Sequence, residues 1–203
     1  MEGFFVEYSL QNKRIGIAMT GSFCTFQKVF EALPALVEAG AQLYPILSFN
    51  AYSLDTRFYM AAEVRERLRF LCGNPVWHTI EQVEPIGPKK LLDLVIVAPC
   101  TGNTLGKLAG GIADTPVTMA CKSQLRNGRP VLLCVSTNDG LAASAQNIGL
   151  LLNRKHIFFT PFYQDDPAKK PTSIVFDAQD LLPAACQALA DQQLQPVLKS
   201  LSM

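Results

Sequence analysis

Two kinds of block alternate along this chain. One is a short, wholly apolar run. The other is a longer stretch in which apolar residues recur every three or four positions. The clearest apolar run is Leu94-Val95-Ile96-Val97-Ala98, followed by Pro99, then Cys100-Thr101-Gly102-Asn103-Thr104, then a helical pattern. Such a run reads as a strand covered on both faces, as in the middle of a parallel sheet. Pro99 is expected to end its ladder. Residues 14–19, 43–47, 130–136 and 157–160 read as further strands, and 76–78 as a short one. Helical patterns follow the Thr20-Gly21-Ser22 turn as far as 39, and recur over 56–72, 80–83, 104–109, 116–125, 141–153 and 178–191. Gly40 and Gly73 stand where the first two helices stop. Pro34, inside the first helix, is expected to bend or restart it. Glu63, Arg65, Glu66, Arg67 and Arg69 give the 56–72 helix a solvated face. Residues 163–172, with Asp165, Asp166, Pro167, Lys169, Lys170 and Pro171, read as a long exposed loop.

Repeated strand-helix units imply an α/β, Rossmann-like three-layer fold, with a mostly parallel sheet, helices on both faces and right-handed crossovers. No internal repeat, low-complexity tract or linker interrupts the alternation. Residues 1–203 are therefore expected to form a single domain, long enough for one well-buried core. An apolar content of 49% is high for a soluble monomer. A well-filled core and apolar surface buried between subunits account for it equally well. Eighteen basic against seventeen acidic residues leave a net charge of +1, which gives no electrostatic case for nucleic acid or an anionic membrane. The opening residues carry acids early and lack the long apolar core of a signal peptide. No apolar run approaches the roughly 18–20 residues of a membrane span. The cysteines Cys24, Cys72, Cys100, Cys121, Cys134 and Cys186 form no C-x-x-C pair, and most lie in apolar segments. That pattern fits reduced thiols in a cytoplasmic protein rather than a disulfide framework. With only His78 and His156 as imidazoles, no metal site is expected.

The candidate chemistry lies at the strand ends. Backbone amides at the start of the first helix suit a phosphate; Gly21 allows close approach and Ser22 adds a hydroxyl. Gly16 to Gly21 has the glycine spacing of a nucleoside-triphosphate loop, but Ser22-Phe23 stands where Lys-Ser/Thr is required. The glycine pattern of a dinucleotide site, and its acid after the second strand, are also missing. Ser48 closes the second strand instead, and Ser136-Thr137-Asn138-Asp139-Gly140 follows a later one. Each polar loop alone reads equally well as an ordinary turn or helix cap. Four of them on one edge of a sheet mark a single crevice. No nucleophile-base pair stands out, and no catalytic residue is assigned. Cys100 has no basic neighbour in the sequence and reads as a packing residue. His78 and His156 read as structural or surface residues. Lys107, Arg57, Lys169 and Lys170 are candidate partners for an anion or a carboxylate.

The stretch Ala98-Pro99-Cys100-Thr101-Gly102-Asn103-Thr104, continuing through Lys107, Ala109 and Gly111-Ile112-Ala113-Asp114, resembles a known signature. It is the A-P-x-T-x-N-T-x-x-K-x-A-x-G-I-A-D pattern of the homo-oligomeric flavin-containing cysteine decarboxylase family, which includes phosphopantothenoylcysteine decarboxylase and the flavin prenyltransferases. The resemblance implies FMN as ligand. Its phosphate would lie near Gly21, Ser22 and Ser48, and its ribityl chain and ring near Thr101, Asn103, Thr104, Thr137 and Asn138. Two features depart from the decarboxylases. Residues 48–58 contain no histidine, and of the family's later P-x-M-N motif only Asn138 remains. Both departures argue against peptidyl-cysteine decarboxylation.

Residues 161–173 and 193–198 are similar to one branch of that family. There the flavin-fold protein works with a separate dehydrogenase-like partner in spore-forming bacteria. The pair oxidises dihydrodipicolinate to pyridine-2,6-dicarboxylate, with NAD(P) on the partner as acceptor. The resemblance thus implies one component of a two-component oxidoreductase, a small dicarboxylate substrate and a homo-oligomer built as a trimer or a multiple of trimers. Two other readings stand beside it: a self-sufficient flavin-dependent decarboxylase or prenyltransferase, and a flavin-fold scaffold that has lost its cofactor.

Overall fold

A computed structural model describes residues 8–200. Four parallel strands form its centre: β1 (Arg14–Met19), β2 (Gln42–Leu47), β3 (Leu94–Cys100) and β4 (Val131–Thr137). They lie in the order β2-β1-β3-β4. β5 (Ile157–Phe159) pairs parallel with the first half of β4. The far end of β4 pairs antiparallel with β7 (Ile174–Phe176), which pairs in turn with β6 (Phe162–Tyr163). Every residue of β3 is buried, as an apolar run flanked on both sides requires.

The helices are α1 (Phe26–Glu38), α2 (Phe49–Ser53), α3 (Ala61–Cys72), α4 (Ile80–Val83), α5 (Gly102–Ala109), α6 (Pro116–Leu125), α7 (Ala145–Leu152) and α8 (Leu181–Leu189). Alternate strand residues point to opposite faces and build two cores. Ile15, Ile17, Leu94 and Ile96 meet Phe26, Phe30, Leu33, Leu68 and Ala185 of α1, α3 and α8. Val95, Val97, Leu133 and Val135 meet Val83, Leu105, Val117 and Leu151 of α4 to α7. The result is the three-layer, mostly parallel α/β sandwich that the alternation predicted.

Several boundaries differ from the sequence reading. β3 continues through Pro99 to Cys100 across a cis Ala98–Pro99 peptide. The register against β4 shifts between Val97 and Cys100, around the proline that lacks an N–H. The Pro99 carbonyl instead accepts the Thr20 hydroxyl at 2.7 Å. α1 passes Pro34 as one element; Pro34 faces solvent, where water can serve the carbonyl that proline leaves unpaired. α3 begins at Ala61 rather than 56, with Asp55 Oδ1 accepting the Ala61 amide at 2.8 Å, and α2 precedes it. Residues 141–144 form a turn before α7, because the Leu141 amide donates to Thr172 O and those of Ala142 and Ser144 to Asp139 O. Residues 76–78 reach the sheet through a single bridge, Ile46 to Trp77. The exposed loop of 163–172 proves to be the connection of the β6–β7 hairpin. The six cysteines form no disulfide. No helix among the described residues is long and apolar enough to cross a membrane.

Candidate functional site

Parallel pairing of β1 to β4 brings their carboxyl ends to one edge. A cleft of about 950 Å³ opens there. Its floor is the turn of Gly21 to Thr25, and its walls include Thr101 to Asn103, Ser136 to Asp139, the β6–β7 hairpin, and Arg57 with Phe58.

The floor is tied down from below. The buried Thr20 hydroxyl donates to Pro99 O at 2.7 Å and accepts the Thr101 amide at 3.1 Å, locking the end of β1 to that of β3. Ser22 Oγ reaches across β3 to donate to Ser136 O at 2.6 Å. Thr25 Oγ1 and Ser136 Oγ lie 2.6 Å apart and are buried. With its neighbours so held, Gly21 is not required by contacts within the protein. A Cβ there would touch only Phe23, at 3.7 Å, and would otherwise stand in the cleft. The missing side chain leaves backbone open to a ligand. Phe23 and Cys24 open a 3-10 turn that runs directly into α1, so their amides have no partner within it.

On the next wall Thr101 caps α5, its Oγ1 accepting the Thr104 amide at 3.3 Å. Asn103, in the first turn of α5, is exposed to the cleft. Asp139 Oδ1 accepts the hydroxyls of Thr137 at 2.5 Å and Ser144 at 3.0 Å. The hairpin closes the far side. Thr172 Oγ1 donates to Asn138 O at 2.6 Å, and Lys170 Nζ stands 3.1 Å from Asp165 Oδ2. Burial works against ionisation of Asp165, but the Ser173 hydroxyl and Lys170 outweigh it and hold the carboxyl below its usual range. Asp165 in turn raises the Lys170 ammonium above its own range.

Of the residues singled out from the sequence, Gly21, Ser22, Thr101, Asn103, Thr137 and Asn138 line this cleft. Ser48 and Thr104 do not line it. Ser48 ends β2, donates its amide to Met19 O, and accepts the Ala51 amide at 3.3 Å to cap α2. Thr104 is buried, its Oγ1 3.0 Å from that of Thr101. Arg57 and Lys170 reach the cleft, while Lys107 pairs with Asp114 at 2.7 Å outside it and Lys169 lies on the exposed loop. Cys100 is wholly buried, and burial together with Cys121 and Cys134 pushes its thiol well above the usual range, as suits packing. His78 stacks flat on Tyr52, with ring centroids 3.7 Å apart. His156 pairs with Asp191 at 2.9 Å. Lys28, Asp139, Asp165 and Ser173 also line the cleft and were not singled out as site residues. The hairpin residues had a signal: the β-rich run Ile174-Val175-Phe176 brackets the loop opposite Phe162-Tyr163. Among the described residues no cluster of His, Cys, Asp and Glu is arranged to hold a metal ion.

This arrangement, glycine and free amides at a helix start with hydroxyl and amide side chains on the adjoining strand ends, coincides with a family model. The flavoprotein model matches residues 5–178. The chain belongs to the flavoprotein family. Within it, the chain is 47% identical over 191 residues to the B-type subunit of dipicolinate synthase from Bacillus subtilis, an alignment covering 94% of this chain and 95% of that one. The crystal structure of the corresponding B-type subunit from Bacillus halodurans superposes with a TM-score of 0.87 at 38% identity, covering 95% of this chain and 98% of that one. An FMN-dependent cysteine decarboxylase from thioviridamide biosynthesis superposes with a TM-score of 0.54 at 26% identity, over 70% of this chain and 85% of that one.

Proposed function

We propose that this chain is the flavin-fold, B-type component of dipicolinate synthase. Together with the dehydrogenase-like, A-type component of dipicolinate synthase, it oxidises dihydrodipicolinate to dipicolinate during sporulation. Similarity to two B-type components along nearly the full chain supports this reading. In the reaction two hydrogens leave the dihydropyridine ring, one as hydride to NAD(P) on the partner and one as a proton. Gaining an aromatic ring drives it, so the protein's task is to position donor and acceptor. The unpaired cysteines fit a cytoplasmic setting.

The cleft is the FMN site in this reading, and Gly21 is the observation that carries it. A side chain there would project into the cleft, and within the fold its Cβ would meet only Phe23, at 3.7 Å. Gly21, Ser22 and the amides of Phe23 and Cys24 hold the phosphate. Thr101, Asn103, Thr137 and Asn138 line the ribityl chain and ring, while Thr104 braces Thr101 from behind and Ser48 caps α2. When bound, the flavin supplies a flat ring capable of redox exchange.

The test has two arms. Titration with FMN should produce a bound-flavin absorbance spectrum, and Gly21→Val should abolish it while leaving the circular dichroism intact. The chain mixed with its dehydrogenase-like partner should form dipicolinate well above the rate of that partner alone. Full activity of the partner alone overturns the assignment. So does turnover of a cysteine-containing or prenyl substrate by the isolated chain, which would restore the self-sufficient decarboxylase or prenyltransferase. Failure to take up FMN would favour the scaffold.

A further inference from the structure

Three cations face the cleft from three separate segments: Lys28 from α1, Arg57 from the connection between α2 and α3, and Lys170 from the β6–β7 loop. Two carboxylates line the same cleft, and both are already engaged. Asp139 is taken by the hydroxyls of Thr137 and Ser144, and Asp165 by Lys170. Lys28 lies over the Tyr163 ring and adds to the positive field at Asp177. Arg57 has no carboxylate partner among the described residues, and its guanidinium carbon lies 4.8 Å from the Phe58 ring centroid. The phosphate-binding turn described above is made of amides and hydroxyls, which leaves Arg57 without an acid and Lys170 shared with Asp165. A cleft whose cations outnumber its acids, with those cations mounted on separate walls, suits a second anion with two separated negative ends.

We propose that the cleft contains a dicarboxylate subsite beside the mononucleotide site. Arg57 takes one carboxylate of a small planar diacid and Lys170 takes the other. Asp165 is a positioning residue that holds the lysine in place. The identity of the diacid rests on the function proposed above; the presence of both cations on the lining of one cleft does not. Arg57 can offer two parallel N–H donors of its planar guanidinium to one carboxylate, with the Phe58 ring 4.8 Å from its central carbon. Lys170 acts as a point charge aimed by its 3.1 Å contact with Asp165. A monoacid would leave one of these cations unmatched, so the pair also supplies discrimination.

The experiment is calorimetric titration of pyridine-2,6-dicarboxylate and of pyridine-2-carboxylate into the FMN-saturated chain. In the unaltered protein the diacid should bind more tightly than the monoacid, and its affinity should fall with added salt. Arg57→Gln and Lys170→Gln should each weaken the diacid by about 10-fold or more, as expected for loss of a charge-assisted contact. Each should also bring the two ligands close to equal affinity, in a chain that still takes up FMN. Arg57→Lys should fall between. Lys169→Gln, on the exposed loop outside the cleft, should behave as the parent. Diacid affinity unchanged in both Arg57→Gln and Lys170→Gln overturns the subsite, as does an FMN-loaded chain that ignores the diacid; either result leaves the flavin site standing. If the chain takes up no FMN, the flavin assignment fails. The same titrations on the bare chain then decide the subsite by the same criteria.

Discussion

At the scale of single residues the chain's most distinctive chemistry is protective rather than reactive. Burial pushes the thiols of Cys72, Cys121 and Cys134 up to about 12 from 9.0, with a Thr160 contact partly opposing it at Cys134. A thiol raised in this way stays protonated in the fold after its unfolded counterpart has ionised. The unfolded chain then binds fewer protons, so stability is intact below pH 9 and is lost as pH rises toward 12. Each such thiol contributes a slope of at most about 1.4 kcal/mol per pH unit. Urea midpoints should therefore fall between pH 8.5 and 10.5. Cys134→Ala should show a shallower fall despite a lower absolute stability from the space it leaves. Parallel slopes for variant and parent would show that this thiol is not the source. The alignment of apolar runs made these cysteines legible as core residues. Cys100 reads as a packing residue from the sequence and is buried; what the sequence did not show is that Cys24 lies exposed in the cleft.

At the scale of elements the β6–β7 hairpin decides the shape of the site. It is held from below by Gly140, where a Cβ would meet Ile174 Cδ1, Cγ1 and Cβ at 2.7, 2.8 and 2.9 Å. It is held from the side by the Leu141 amide on Thr172 O and from beyond by Lys199 on Asp177 at 3.0 Å. The backbone amide of Lys199 also donates to Phe162 O. Gly140→Ala should push the hairpin outward, costing about 1–3 kcal/mol as other overpacked positions do. Urea denaturation reads that cost. The same variant should weaken the diacid more than FMN, because Lys170 rides on the hairpin and Gly21 does not. A variant as stable as its parent would show that the hairpin yields freely. The hairpin's strands are only two and three residues long, too short for a period-two pattern to emerge, so the β-rich run Ile174-Val175-Phe176 is its one local signal.

At the scale of the whole molecule the apolar surplus in the composition has two destinations. Most of it fills the two cores on either face of the sheet. The remainder is exposed and spread over the described residues, Phe70 at 88% and Leu198 at 66% among them, with Phe49, Leu54, Phe58 and Met60 on the segment that leads to the cleft. The homo-oligomer implied by the family resemblance would have exposed apolar side chains of this kind to cover. Light scattering at micromolar concentration should give a mass of three chains or a multiple of three. A monomer would refute this, and the exposed residues would then need another partner.

The sequence by itself determined the alternation of strands and helices, the double-faced burial of the central strands and the polar character of their carboxyl ends. Those features are local: each depends on the period of apolar positions within a few turns or one strand. Tertiary structure alone decided which polar residues meet. Ser22 bonds to the carbonyl of Ser136, 114 positions later, only because β1 and β4 flank the same central strand. Arg57 and Lys170 reach one cleft because the α2–α3 connection and a hairpin at the far side of the sheet both fold over its carboxyl edge. Ser48 and Thr104 carry the same kind of hydroxyl, yet their hydrogen bonds turn them to helix capping and bracing. Pairing between distant segments, which no short window of sequence contains, sets those distances.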